Sequence, residues 1–170
     1  MNQVADEFKL QTGKLLDQST TKILHCLLQL SESEIWWRPD PRLNSIGNLI
    51  LHICGNLRQW STTAFSTAVD QRDRKAEFSD SVRKPKQELI DLMSDAVRLS
   101  KQAIHDVAPN QLIEVIQIQG FQVSAMEALM HTTSHFQGHT HQIILLTRII
   151  KKDAYQFHWS PEMGRDTLPM

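Results

Sequence analysis

The chain has 170 residues, 41% of them hydrophobic, which is enough for one domain with a substantial core. Its formal net charge is −1, from 18 basic and 19 acidic side chains, so the basic footprint of a nucleic-acid binder is missing. Apolar runs fall far short of the ~20 residues of a membrane span.

The first residues, Met1 to Lys9, carry neither the basic nor the apolar region of a secretory signal. The two cysteines, Cys26 and Cys54, are too few for a disulfide framework, so a reducing cytoplasm is the expected address. From Val4 to Leu30 the apolar residues Phe8, Leu15, Leu16, Ile23, Leu24, Leu27 and Leu28 recur near a period of 3.6 and predict a first helix. Ser31 and Glu34 form a capping box for one short turn, and Pro39 and Pro41 end it. Trp36 and Trp37 are expected to plug one end of the domain, with a substrate pocket as their alternative place. A second helix, capped by Asn44 or Ser45, is predicted to run to about Ala68.

Residues 69–84 are aperiodic and dense in charge of both signs, which predicts a long solvated crossover anchored by Phe78. Pro85 suits the first position of a third helix ending near Asp106. Residues 115–123 alternate briefly and suggest a strand-like loop bent at Gly120. Ser124 and Glu127 read as a capping box for a fourth helix to Lys151, so Glu127 is assigned to the cap. Gly138 breaks helix propensity there, and a close backbone approach at the neighbouring histidines would account for it. The expected fold is all-α: a single domain over residues 1–170, a four-helix bundle with its long crossover between helices two and three, and residues 152–170 as a surface tail.

Chemistry concentrates between His131 and Gln142, which holds half of the eight histidines. His131, His135 and His139 step by four, and each step turns only about 40° around a helix. His135 and His139 can therefore share one ion, whereas His141 leaves His139 at about 200°. On the second helix a polar stripe of Ser45, Asn48, His52, Asn56 and Gln59 runs beside the apolar one. Taken alone, a histidine among apolar neighbours is more often a satisfied boundary residue than a ligand. The spacing offers His52 as a companion without selecting it.

Residues 43–60, LNSIGNLILHICGNLRQW, resemble the second helix of DinB-like (YfiT-like) metalloproteins, and residues 131–143 resemble their fourth. Trp36-Trp37-Arg38-Pro39 resembles the segment before that second helix, and Arg72-Asp73-Arg74 with Phe78 fits one subgroup. The resemblance implies a four-helix bundle, commonly a homodimer, in which His52, His135 and His139 hold a divalent metal, often nickel or zinc. It implies that His131 stands behind the ligands. Asn48, Asn56 and Gln142 are candidates to orient the ligands or the bound species, since such neighbours fix imidazole tautomers. Thr140-His141 departs from the family's Arg-Gly.

Three neutral imidazoles leave a divalent ion its full charge and an open position, able to activate water or hold a thiolate. No carboxylate is evident beside the ligands, which favours metal-bound thiolate chemistry, and the resemblance implies a metal-dependent transferase or isomerase that uses a low-molecular-weight thiol and an electrophilic small molecule. A hydrolase is less favoured. The rival from another class is a non-catalytic protein whose ion supports the bundle or the dimer. Neither nucleic acid nor membrane is an expected partner.

Overall fold

A computed structural model describes residues 2–66 and 69–159. It is mostly helical, with α1 (Gln3–Gln29), α2 (Glu32–Ile35), α3 (Ile46–Leu57), α4 (Lys86–Asp106) and α5 (Ala125–Lys151). Each helix begins where local chemistry allows. Asn2 caps α1, complete capping boxes open α2 (Ser31 with Glu34) and α3 (Ser45 with Asn48), and Ser124 caps α5. Pro85 takes the cap position of α4 rather than the first helical one.

α1 packs on α4 and α5, and α3 packs on the same two helices from the other side. Directions follow from the bonds between them. Lys9 Nζ donates to the carbonyls of His105 and Val107 at 2.9 and 3.0 Å, setting the start of α1 beside the end of α4. Thr132 meets Asn56 and His135 meets His52, so α3 and α5 run antiparallel. Trp36 lies against Gly47 and donates to the Lys84 carbonyl, while Ser61 bonds Ser100, so α3 and α4 share a direction. Two parallel neighbours need a connection that returns the length of a helix, about 18 Å for α3. The charged crossover is that connection.

Three features differ from the sequence reading. Beyond Leu57 the second helix widens into a π turn, Arg58–Thr62, and then a short 3₁₀ turn, Thr63–Phe65; its expected end at Ala68 lies outside the described residues. The strand-like loop is a real hairpin, β1 (Val115–Ile118) paired antiparallel with β2 (Phe121–Ser124), so a small sheet accompanies the mostly helical fold. Gln119 and Gly120 both take positive φ, +52° and +83°, as a two-residue hairpin turn of this hand requires. Gly138 is exposed, and a Cβ built on it would meet nothing within 4 Å, so no close approach explains it.

Trp36 is buried as a plug, whereas Trp37 is exposed. Of the expected tail, residues 152–159 are described: a short 3₁₀ turn and an extended piece, with the Gln156 carbonyl against His25 and Gln29 of α1. Pro161 and Pro169 lie outside the described residues. Among the described residues no helix is long and apolar enough to cross a membrane.

The core is formed by the apolar faces of the long helices, with Leu16, Ile23, Ile50, Met93 and Phe136 fully enclosed. Ile23→Ala removes buried methyl groups on α1. We expect it to lower unfolding free energy by about 2–5 kcal/mol, read as a fall in Tm with the far-UV spectrum at room temperature unchanged.

Candidate metal centre

The polar stripe of α3 is covered by the crossover and by α5. Asn48 accepts from Arg38 Nη2 at 2.9 Å and from the Ser45 hydroxyl at 2.6 Å, and its amide donates to the Glu77 carbonyl at 3.0 Å. Asn56 accepts from the Thr132 hydroxyl at 2.8 Å. Gln59 takes Arg72 Nη1 at 2.8 Å and also bonds Asp70 and Gln119. These bonds satisfy buried amides that would otherwise cost about 1–3 kcal/mol each. They also fix how the crossover lies.

His52 sits mid-stripe and is 95% buried, with relative exposure of 5%. Its Nε2 lies 3.0 Å from His135 Nε2. His139, one turn beyond His135, sets its ring edge-on to that of His52, with the ring centroids 5.0 Å apart. One nitrogen from each of the three lies within 4.8 Å of the others. Nitrogens about 2.0–2.1 Å from a tetrahedral zinc stand about 3.3 Å apart, so small side-chain shifts let the set hold a metal ion.

Two groups select the nitrogens that face inward. Glu77 Oε2 lies 2.8 Å from His52 Nδ1, which therefore carries the proton and leaves Nε2 as the free donor atom. Gln142 Oε1 lies 2.7 Å from His139 Nδ1 and acts likewise. Arg72 grips Glu77 with two bonds, Nε to Oε1 at 2.7 Å and Nη2 to Oε2 at 2.9 Å. Arg72 Nη2 also comes within 3.1 Å of His52 Nδ1, because two donors converge on the same oxygen. Phe78 covers the His52 ring at 5.0 Å.

The arrangement corrects several expectations. The crossover is not simply solvated, since Glu77 is buried and the Arg72 side chain nearly so. A carboxylate does stand beside the histidines. Glu127 does not complete its capping box: only its backbone N–H bonds the Ser124 hydroxyl, and its side chain faces a cavity. Asn48 acts at one remove, by holding the Glu77 backbone. Asn56 and Gln142 do border the three histidines. His131 is exposed and meets no nitrogen of the other three; it lies parallel to His135 at 5.8 Å and stacks on Trp60 at 4.2 Å. His141 is exposed.

Sequence reasoning missed Glu77 and the role of Arg72, and one usable signal was left: the polar stripe on α3 needed polar partners beyond those that α5 supplies to Asn56 and His52.

The cavity occupies about 440 Å³ and opens onto His52 and His135. Trp60, His131, Phe121 and Val123 form an aromatic and apolar wall, and Arg74 and Glu127 stand among its polar residues. The π turn after Leu57 carries Trp60 to this wall, a placement consistent with the frequency of such turns at functional sites. Neither Trp36 nor Trp37 lines it.

Burial pushes the His135 imidazole down to about 3, reinforced by the neighbouring His139 and His52. Burial likewise lowers His139, outweighing the bond to Gln142. For Glu77, burial pushes the carboxyl up, but the bonds from His52 and Arg72 win and leave it below its ordinary value. Both shifts favour the neutral imidazole that metal ligation needs at His135 and His139. Both cysteines are buried and free, and burial pushes the Cys54 thiol up to about 12, so neither is an accessible nucleophile.

With that geometry in place, comparison with solved structures defines the class. The fold is that of a DinB-like protein from Bacillus cereus, with TM-score 0.68, 16% identity, and coverage of 88% of this chain and 95% of the other. A conserved protein from Enterococcus faecalis is equally similar, with TM-score 0.68, 21% identity, and 83% and 95% coverage. The mycothiol-dependent maleylpyruvate isomerase follows at TM-score 0.61 and 18% identity; the match covers 79% of this chain and only 60% of the isomerase. Residues 3–162 match the family described as a protein of unknown function (DUF1572), and the chain belongs to that family. No curated protein matches it.

The shifted groups make stability pH-dependent in the metal-free protein. His135 has a folded-state value near 3 against an ordinary 6.5, so between those values the unfolded chain binds more protons than the folded one. Stability is then full above about 6.5 and declines as pH falls toward 3, and Glu77 adds a loss of the same sign below its ordinary 4.5. Thermal melts of metal-free protein across this window should show the decline, and His135→Gln should flatten its upper part.

Proposed function

We propose that this protein is a metal-dependent enzyme in which His52, His135 and His139 hold one divalent ion, zinc or nickel, inside a four-helix bundle formed by α1, α3, α4 and α5. The observation that carries the reading is the convergence of three imidazole nitrogens from two helices, with Nδ1 of His52 and of His139 each held by an oxygen, at the edge of a cavity. A bound divalent ion would supply a full positive charge that stabilises a deprotonated thiol or water.

The chain's own residues supply the rest. Glu77 and Gln142 orient two imidazoles, Arg72 keeps Glu77 ionised and in place, and Trp60 with His131 gives a substrate a flat wall. The mycothiol-dependent isomerase has a like fold, and the family resemblance implies a low-molecular-weight thiol; together they favour S-transfer. In that reaction the thiol loses its proton, its sulfur bonds an electrophilic carbon of a small molecule, and the leaving group departs with its electron pair. A homodimer belongs to the same reading.

A second reading has its own support, because the three histidines tie α3 to α5 and, through Glu77, to the crossover. An ion there would hold those elements together without catalysing anything.

Elemental analysis of protein purified without a histidine tag separates these cases. Wild type should carry about one metal per chain, and His52→Ala and His139→Ala should lose it; equal content in all three ends the ligand assignment. Glu77→Gln should retain the fold while weakening metal affinity about 10–100-fold. If metal-loaded protein forms no conjugate across a panel of thiols and electrophiles, yet chelation lowers Tm, the non-catalytic reading stands.

A further inference from the structure

Arg74, on the crossover, and Glu127, in the first turn of α5, both line the cavity beside His52 and His135. Neither side chain has a hydrogen-bond or ion-pair partner among the described residues, and they do not pair with each other. Arg72 is different: Glu77 and Gln59 occupy its guanidinium, so it offers no free cation to a ligand. One cavity thus carries a single unpaired positive group and a single unpaired negative group, and its lining also includes Trp60, Phe121, His52 and His135.

We propose that this cavity receives an amino-acid-like thiol, whose carboxylate meets Arg74, whose ammonium meets Glu127, and whose sulfur is directed toward the histidines. The proposal rests on the metal-and-thiol reading above. A guanidinium recognises a carboxylate by two parallel N–H bonds, and a carboxylate accepts an ammonium's protons. A dicarboxylate would place one of its charges against Glu127. A simple amine would leave Arg74 unmatched and face the ion's charge. A ligand bearing both charges on neighbouring atoms avoids both penalties and complements the pair. Because Arg74 and Glu127 are exposed, each contact is screened by water and changes affinity by a modest factor.

The test uses cobalt(II)-loaded protein and four thiols: L-cysteine, 3-mercaptopropionate, cysteamine and 2-mercaptoethanol. The sulfur-to-cobalt charge-transfer band reports binding, and each dissociation constant is compared between wild type and variant, which cancels the thiols' different acidities. Arg74→Ala should weaken cysteine and mercaptopropionate about twofold to fivefold and spare cysteamine and mercaptoethanol. Glu127→Gln should weaken cysteine and cysteamine by a similar factor and spare the other two. Ratios near one for all four thiols in both variants, or equal losses for all four, overturn the proposal while leaving the metal-and-thiol reading intact. Cobalt bound with no charge-transfer band from any thiol overturns that reading and the proposal with it.

Discussion

Glu77 enters the protein from a stretch of charged residues and ends buried, with its carboxylate between His52 and Arg72. Taking a carboxylate out of water is costly unless nearly all of its acceptor capacity is used. Here two guanidinium nitrogens and an imidazole N–H use it, and the Asn48 amide holds the backbone of the same residue. The space comes from α3: a Cβ on Gly55 would clash with Glu77 Oε1 and lie 2.8 Å from Arg72 Nε. A bare backbone face at that turn lets the ion pair lie flat on the helix. The crossover is therefore fastened at the one place where it can set the tautomer of His52.

Much of the fold was legible because it is written in local chemistry. Period-3.6 apolar residues gave the four long helices, and Ser31, Ser45 and Ser124 marked three starts within a residue or two. The alignment of His135 with His139 follows from helical spacing alone. The family resemblance added His52, and the structure brings all three together. What escaped depends on contacts between distant segments. Nothing local in Asp70-Gln71-Arg72-Asp73-Arg74-Lys75 separates the arginine that is buried on Glu77 from the one left facing a cavity. The π turn is equally silent in sequence, since Arg58–Thr62 reads as ordinary helix.

The same limit explains Glu127 and Gly138. A serine followed three residues later by glutamate fits a capping box, yet only the serine half forms, and the carboxylate points toward the cavity. A glycine beside histidines suggested crowding, but its position on α5 is open to solvent. Motif rules describe what a residue can do in isolation. Neighbouring segments then decide which option is used, as the crossover and the hairpin do on this face.

These neighbours also bear on whether an ion here would serve stability or chemistry. Structural metal sites close around the ion with a full set of protein ligands, whereas reactive sites keep a position open. Among the described residues the three histidines gather no fourth ligand: His131 turns away to stack on Trp60, His141 is exposed, and Glu77 is held on the far nitrogen of His52. The crossover closes the Glu77 side, and the hairpin brings Phe121 to 6.5 Å from Trp60 on the other. Between them the cavity reaches two of the three imidazoles. A fold that only needed an ion as a staple would gain by filling that space with a fourth ligand or an apolar side chain. An open space lined with aromatic rings and unpaired charge is the arrangement that the proposed chemistry would use.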